Sequence, residues 1–460
     1  MSRRRKQLVT VTAICVLGSF QYAFAAATPP MMPHIEETTL PPAVTLPTLP
    51  EGATVNIPNE PLTATEAALI ALQRQPSITI AKESVTAANG RLQQAKSGLK
   101  PSLGFNAAYS DVPISSISNP SQGFTSTIAV QQLLYDFNNT RNKVRQSESL
   151  QHVSQANLTK AQSDLVYQVK QAYYTYTQNL RLISVNEANL RNRQEHLNLA
   201  KARVDAGVGL PVDVVRAETA VQEAILSLNL AQNSAGVSQV ALAQLMGIDP
   251  RTPMKLAESE ETLPSNGDYP TLLQTAMQQR PEITQAKENL AAAKSGVNVA
   301  KTSNYPSFIG SLGYGIRGNE FFPEENNISL GFGVKWTPYD SGLTKGKVTE
   351  AQANVNAAQA QIESAGLVIS TDVSQAYLNE KTAEQRVVTA KAEVANAQEA
   401  LRLAQGRYAA GLGVFLDVLD AQNDLLTAQT NQVNAQSSVN QARAALAHAI
   451  NSDPAMSGNH

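Results

Sequence analysis

The sequence predicts a mainly α-helical protein with a smaller transmembrane β part and an internal duplication. Long stretches rich in Ala and Gln contain no Pro and carry a helical spacing of apolar residues. Four segments of about ten residues alternate between apolar and small polar residues. The order of these segments recurs after 204–205 residues. Together these patterns indicate two copies of one helix–strand–helix unit.

The composition excludes several classes of protein. The 460 residues hold 36 Lys and Arg against 38 Asp and Glu, without a basic block, which argues against nucleic-acid binding. One Cys and five scattered His exclude a disulfide framework and the common zinc sites. No nucleophile elbow, phosphate loop or metalloprotease motif occurs. We therefore expect no enzyme activity, no catalytic residue, no cofactor and no metal.

Residues 1–25 have the pattern of a secretory signal peptide. Arg3 to Lys6 are basic, residues 8–20 are apolar, and Ala23 to Ala25 form a small-x-small cleavage site. The apolar run is too short to cross a bilayer. Cys15 lies inside that run rather than at its end, so no lipid anchor is expected.

The next segment, residues 26–61, is a Pro-rich leader that we expect to be extended, because Pro fixes φ and removes a hydrogen-bond donor. The matching positions then define a first repeat over 62–250, a linker over 251–269, a second repeat over 270–452 and a polar tail over 453–460. Pairs such as Pro76 with Pro281, and Arg203 with Arg407, carry the match.

Each repeat has the same predicted order: a helical stretch, a β-hairpin, a very long helix, a tip and a return helix. In the first repeat these cover 62–100, 102–135, 139–206, 203–213 and 213–247. In the second repeat they cover 270–304, 307–339, 344–410, 407–417 and 417–451. The second long helix shows a 3-4-3-4 seam typical of coiled coils, at Val348, Ala351, Val355, Ala358, Ile362, Ala365 and Ile369.

The four predicted strands have the length and alternation of outer-membrane β-barrel strands. Aromatic residues near their ends would form an interfacial girdle, namely Tyr109, Tyr135, Tyr314, Trp336 and Tyr339. A small soluble sheet packed on the helices is the alternative. Because four strands cannot close a barrel in lipid, a spanning chain must oligomerise. Two chains would give eight strands and three would give twelve.

The tip sequences resemble those of the TolC-type outer membrane efflux proteins. The resemblance lies in Arg407-Tyr408, Gly411-Leu412 and Asp417 to Gln422, with a weaker copy from Arg203 to Asp213. It implies a homotrimer that forms one 12-stranded outer-membrane β-barrel, four strands per chain, and a long coiled-coil α-barrel. It also implies location in the outer membrane of a Gram-negative bacterium, with most of the mass in the periplasm. The expected partners are outer-membrane lipid, a periplasmic adaptor (membrane fusion) protein and an inner-membrane transporter.

The resemblance also implies roles for residues at the tips. Asp417 and Asp420 match the carboxylates that ring the narrow pore constriction, where acidic rings favour cations. Helix capping is the alternative for Asp417 and for its repeat partner Asp213, and a favourable helix dipole in the first turn is the alternative for Asp420.

Two further roles follow from the same family match. Tyr408 and Asp213 correspond to the residues that latch the tips shut. Gly413 stands where the best-studied member has an Arg, so the latch is expected to be weaker or differently built. Residues expected to contact the adaptor are Arg203, Gly207, Gly209, Arg407, Gly411 and Leu412. Simple helix termination is the alternative for these Arg and Gly residues.

The resemblance predicts that this chain is the outer-membrane exit duct of a tripartite efflux or type I secretion system. A periplasmic coiled-coil scaffold or stalk without channel activity is the competing interpretation. Amphipathic hairpins bounded by aromatic residues argue against a stalk, which has no use for them.

Overall fold

The computed structural model describes residues 61–110, 123–257, 267–318 and 325–457. The predicted signal peptide and nearly all of the Pro-rich leader lie outside these residues. The first repeat contains α1 Ala64–Arg74, α2 Pro76–Ser97, β1 Ser102–Ser110, β2 Gly123–Tyr135, α3 Asn139–Asp205 and α4 Pro211–Met246. The second contains α5 Tyr269–Gln279, α6 Pro281–Thr302, β3 Ser307–Gly318, β4 Glu325–Lys335, α7 Leu343–Ala409 and α8 Phe415–Ala449, followed by α9 Pro454–Ser457. The predicted duplicated, mainly α fold with four strands is confirmed.

The first helical stretch of each repeat is interrupted, which the sequence prediction missed. The single helices expected over 62–100 and 270–304 are each divided, at Pro76 and at Pro281. Both prolines occupy the first position of the second helix, where their missing N–H costs nothing. The residues before them, Gln75 and Arg280, are extended because Pro disfavours helical backbone in its predecessor.

The long helices α3 and α7 each contain 67 residues, which corresponds to about 100 Å of helix. The predicted seam of α7 is the side that packs on its neighbours, since Val355, Ala358 and Ile369 are buried. Along the strand-side half, α2 packs on α3, α3 on α6 and α6 on α7. Alanine along these faces permits close approach of the helices.

The four strands form one antiparallel sheet in the order β1-β2-β3-β4, so the β2–β3 pair joins the two repeats. Side chains in register across the sheet share a face. One such row contains Phe105, Ile128, Tyr314 and Ile328. The next row, on the opposite face, contains Asn106, Thr127, Gly315 and Asn327. One face of the sheet is therefore apolar and the other is small and polar.

The aromatic residues occupy two levels of the sheet and its base. Tyr109 lies at the loop end of β1, whereas Tyr135, Trp336 and Tyr339 lie at the helix end of the sheet or just beyond it. All four are exposed. Tyr314 lies in the interior of β3 opposite Ile128 and Ile328, so its predicted place near a strand end is wrong. The reason is that β3 continues to Gly318, farther than its counterpart β1.

The C-terminal segment that was predicted to be a polar tail packs on the helices. Asp453 and Ala455 are buried, and α9 contacts α1 and α3. The neighbouring chain is fixed as well, because the Tyr173 hydroxyl lies 2.8 Å from the carbonyl oxygen of Leu62 and 2.7 Å from that of Ala257, and it can donate its one hydrogen to either.

A group of charged and polar side chains connects the two repeats near the C-terminal end of α8. The Asp164 carboxylate of α3 lies 3.0 Å from His448 Nε2 of α8 and 2.7 Å from Lys160 Nζ. Lys160 also lies 3.6 Å from Glu282 of α6, which pairs with Arg280 at 3.0 Å. Polar contacts therefore join α3, α6 and α8 where the helical hairpins meet the strand-side helices.

Candidate functional site

The two helical hairpins end in tips with the same backbone geometry. Gly207 and Gly411 both have φ +74°, in the left-handed region that glycine tolerates. Val208 N donates to Arg203 O at 3.0 Å, and Leu412 N donates to Arg407 O at 2.9 Å. These bonds, with those one residue earlier, form Schellman motifs that satisfy the last carbonyl groups of α3 and α7. Helix termination therefore accounts for both glycines, and their adaptor role stays a prediction.

A second glycine follows each tip and lies against the end of its own helix. A Cβ on Gly209 would lie 2.7 Å from Val204 N and 2.8 Å from Arg203 C. A Cβ on Gly413 would lie 3.2 Å from Arg407 Cβ. A Cβ at position 209 would collide with main-chain atoms, which cannot move aside easily, whereas a Cβ at position 413 would have more space. Glycine is therefore required more strictly at position 209 than at position 413. Gly413, the position at which the sequence departs from the family pattern, thus has a packing role of its own.

Tyr408 is the centre of the contacts between the two tips. It belongs to a cluster of buried apolar residues, here called the tip cluster, drawn from α3, α4, α7 and α8. Its members are Ala200, Ala217, Val394, Leu401, Tyr408, Phe415, Val418, Ala421, Leu425 and Ala428. The Tyr408 ring lies 5.4 Å from the Phe415 ring, centroid to centroid. Phe415 was not among the predicted site residues, although its apolar side chain shortly before Asp417 follows the helical spacing of the buried face.

The structure brings Tyr408 and Asp213 together, as the latch hypothesis requires. Both side chains are buried, at 6% and 8% exposure. Burial raises the pKa of Tyr408, as do the charge of the Asp213 carboxylate and a hydrogen bond with it, whereas the Arg203 guanidinium lowers that pKa. The phenol is therefore held in its neutral form, in which it can donate to the carboxylate.

Arg203 points into the tip and contacts Tyr408. Its guanidinium carbon lies 4.6 Å from the centroid of the Tyr408 ring, a cation–π distance. Its Nη1 donates to the carbonyl oxygen of Tyr408 at 2.9 Å. The contact crosses from the first hairpin to the second. Arg407 and Leu412, by contrast, are exposed, and Leu412 retains 76% of its surface in solvent.

Asp417 and Asp420 are exposed on α8 and do not cap it. The cap residues of α8 and α4 are Val414 and Leu210, neither with a side-chain cap hydrogen bond, so the capping interpretation of Asp417 and Asp213 is wrong. Both helices begin two residues earlier than predicted, which also places Asp420 in the second turn of α8 rather than in the first.

Asp424 extends this acidic face of α8. Residues 417, 420 and 424 follow a spacing of three and four, and residues so spaced are neighbours on one side of a helix. All three carboxylates are exposed. The predicted pair did not include Asp424, because the family signature ends at Gln422, although the 3-4 spacing is visible in the sequence. The structure thus presents a three-residue acidic stripe rather than a pair.

The described ranges contain neither a grouped set of metal-binding side chains nor a membrane-crossing helix. Within them, no three His, Cys, Asp or Glu side chains are grouped so that they could hold a metal ion. No helix in these same ranges is both long and apolar enough to cross a membrane.

Comparisons with known proteins agree with this architecture. The outer membrane efflux protein family matches residues 69–248 and 272–452. Outer membrane efflux protein BepC of Brucella suis is 26% identical over 350 residues, which cover 74% of each chain. TtgC of Pseudomonas putida, a probable efflux pump outer membrane protein, is 24% identical over 63% of this chain, and the match spans 61% of that relative. The crystal structure of outer membrane protein VceC from Vibrio cholerae aligns with a TM-score of 0.73 at 24% identity, over 84% of this chain and 95% of that one. The matched segments follow the two structural repeats, and VceC has the same fold.

Proposed function

Because this chain belongs to the outer membrane efflux protein family, we propose that three copies form the exit duct of a tripartite efflux or type I secretion system in a Gram-negative outer membrane. The observation that carries the proposal is the two-faced sheet joined to a pair of 67-residue helices. The sheet fits a membrane wall and the helices fit a periplasmic tube.

The apolar face of the sheet fits contact with lipid. Phe105, Ile328 and Leu330 on that face are exposed in the single chain. The edges β1 and β4 have no partner strand in the four-stranded sheet, and open edges are costly in hydrocarbon. Pairing β4 of one copy with β1 of the next in three copies gives 3 × 4 = 12 strands and removes every edge.

The polar face fits the wall of a water-filled lumen. It continues into a cavity of about 740 Å³ at the base of the sheet. Ser307 and Lys335 line this cavity from the polar face, and Lys143 and Lys347 line it from the starts of α3 and α7. A charged, open cavity on the same side as the small polar row supports a continuous aqueous path from strands to helices.

The tips are proposed to form the periplasmic end of the duct. Asp417 and Asp420 would supply two rings of three carboxylates at the constriction. Tyr408 and Asp213 would latch the two hairpins of one chain. The exposed Gly207, Gly411, Leu412 and Arg407 would meet the adaptor protein, which in turn would connect to an inner-membrane transporter.

Fractionation and planar-bilayer recording test the proposal. The protein should remain with outer membranes after a carbonate wash, and the purified oligomer should form ion-conducting channels. Leu330→Arg places a charge on the apolar face and should reduce membrane assembly, because Arg at a lipid-facing barrel position costs roughly 2–4 kcal/mol at the midplane. Asn106→Arg, on the polar face, is the matched control and should still assemble.

The alternative, a coiled-coil scaffold or stalk without channel activity, predicts the opposite results in these two experiments. Complete release of the protein by carbonate, or equal assembly of the two variants, would contradict the channel. Crosslinking from Val208→Cys and Leu412→Cys in whole cells tests the adaptor contact separately, because both side chains are exposed beside the tip glycines. Capture of an adaptor protein from both positions is expected, and its absence from both would remove the assigned docking role.

A further inference from the structure

The duplicated sequence places the same basic residue at both tips, but only one copy has an aromatic partner. Arg203 and Arg407 are equivalent under the offset of 204 residues. The residue next to Arg407 is Tyr408, whereas the residue next to Arg203 is Val204. Within one chain, Arg203 of the first hairpin reaches the Tyr408 ring of the second, while Arg407 is exposed.

The contacts of Arg203 fix it more firmly than a surface Arg. Nη1 is hydrogen-bonded to the carbonyl oxygen of Tyr408, and the guanidinium lies against the aromatic ring. Nε is buried and has no hydrogen-bond partner among the described residues, which shows that this end of the side chain is shielded from solvent. A guanidinium that has lost solvent interacts more strongly with a ring than an exposed one does.

The Tyr408 residue consequently receives two groups from the first hairpin. The Asp213 carboxylate acts on its hydroxyl, and Arg203 acts on its ring and main chain. Loss of Asp213 alone would leave the Arg203 contacts in place. The contact through the main chain also persists whatever side chain occupies position 408.

We propose that Arg203 is a positioning residue that holds the first hairpin tip against Tyr408 and so keeps the periplasmic constriction of the duct narrow. The inference rests on the proposed channel function. It assigns Arg203 to the interior of the tip, in place of the adaptor contact that the sequence suggested. It also gives the tip a second contact between its two hairpins, in a chain that carries Gly413 where the best-studied family member has an Arg.

Channel recording without any adaptor separates the two roles. Arg203→Gln should give purified trimers with a several-fold higher single-channel conductance than the unaltered protein, because the tip can separate. Arg402→Gln is the control, because it removes an exposed Arg of α7 near the same tip that pairs with Glu399, and it should conduct like the unaltered protein. Arg203→Lys should be intermediate, because an ammonium can still donate to the carbonyl oxygen but has no planar face for the ring.

Each result has a defined meaning. Unchanged conductance of Arg203→Gln, with or without loss of export in cells, would overturn the inference and return Arg203 to the adaptor surface. Equal rises in conductance in Arg203→Gln and Arg402→Gln would overturn it as well, because the effect would then be one of charge. If Arg203→Gln does not assemble, Arg203→Lys decides, and conductance equal to that of the unaltered protein counts against the inference. Absence of channels from the unaltered protein would instead refute the proposed function.

Discussion

Lys170 Nζ and Asp453 Oδ2 lie 2.8 Å apart, and the two side chains retain only 0% and 6% of their surface in solvent. The pair fixes the chain beyond α8 to the middle of α3. Removing one member of a buried ion pair leaves the other charged and without its counterion, which typically costs about 3–5 kcal/mol. We expect Lys170→Met to lower the free energy of unfolding by about that amount, measured by denaturant titration of the purified protein.

Two controls define this prediction. Lys170→Met combined with Asp453→Asn should recover part of the lost stability, because the buried carboxylate charge is removed while the amide oxygen can still accept from Ala455 N. Arg251→Ala breaks the exposed pair with Asp249 and should leave the free energy of unfolding nearly unchanged, because solvent screens an exposed pair. A double variant no more stable than the single one would show that the ion pair is not the cause.

The acidic stripe of α8 predicts cation preference. Replacing Asp417, Asp420 and Asp424 together by Asn should move the reversal potential in a salt gradient toward the non-selective value, because neutral side chains no longer concentrate cations. Asp424→Asn alone should produce part of the shift. Asp249→Asn serves as the control, because it removes one negative charge just after α4, at the end of that helix opposite the tip. An unchanged reversal potential in the triple variant would exclude the stripe from the constriction.

The two post-tip glycines predict unequal responses to alanine. Gly209→Ala forces a methyl group onto main-chain atoms and should destabilise the tip by about 1–3 kcal/mol. Gly413→Ala meets mainly a side-chain carbon at 3.2 Å and should be tolerated better. Limited proteolysis at the tip and the unfolding free energy of each variant provide the measurement. Equal sensitivity of the two variants would contradict the packing difference.

The Asp164 carboxylate predicts a pH-dependent contribution to stability. Burial raises its pKa, but the hydrogen bonds from His448 and Lys160 and their charges outweigh burial and hold the pKa at about 2. Because the pKa is lower in the folded protein than in the unfolded chain, the ionised carboxylate stabilises the folded protein at every pH above the ordinary Asp pKa of 3.8. This stabilisation is lost as the pH falls through about 2. Asp164→Asn should thus be less stable than the unaltered protein at pH 7.

The stability difference should close between the ordinary Asp pKa of 3.8 and about 2. Thermal unfolding at a series of pH values measures it. Lys160→Met keeps the carboxylate but removes one of its partners, so it should give a smaller difference over the same range. A difference that stays constant down to pH 2 would show that the Asp164→Asn substitution disturbs packing rather than charge.

The periodic elements were predictable from the sequence, whereas contacts between elements were not. The heptad seam of α7 and the strand alternation appear directly in the residue order, since each depends only on the local period. The helix boundaries at Pro76 and Pro281 were also predictable, because Pro commonly begins a helix. The Ala-rich flanking residues instead favoured the prediction of one continuous helix.

The errors at the candidate site have a different cause. Asp417 resembles a cap residue in type, but the position of a cap depends on where packing of Phe415 starts the helix. Arg203 and Arg407 occupy equivalent positions in the two repeats. Arg203 differs because it contacts Tyr408 of the neighbouring hairpin, whereas Arg407 is exposed. Lys170 and Asp453 are 283 residues apart, so no local pattern connects them.

Because β1 and β4 are unpartnered edges of the sheet, complete folding of this chain depends on the concentration of other copies. A copy that has not yet assembled presents an apolar face and two open strand edges, which are templates for pairing with any other chain. On the proposed assembly, a protomer completes its sheet only by meeting two others, so its stability cannot be separated from their abundance. Overproduction would therefore produce incomplete sheets faster than they can find correct neighbours, and chaperones and proteases would determine the yield of complete assemblies.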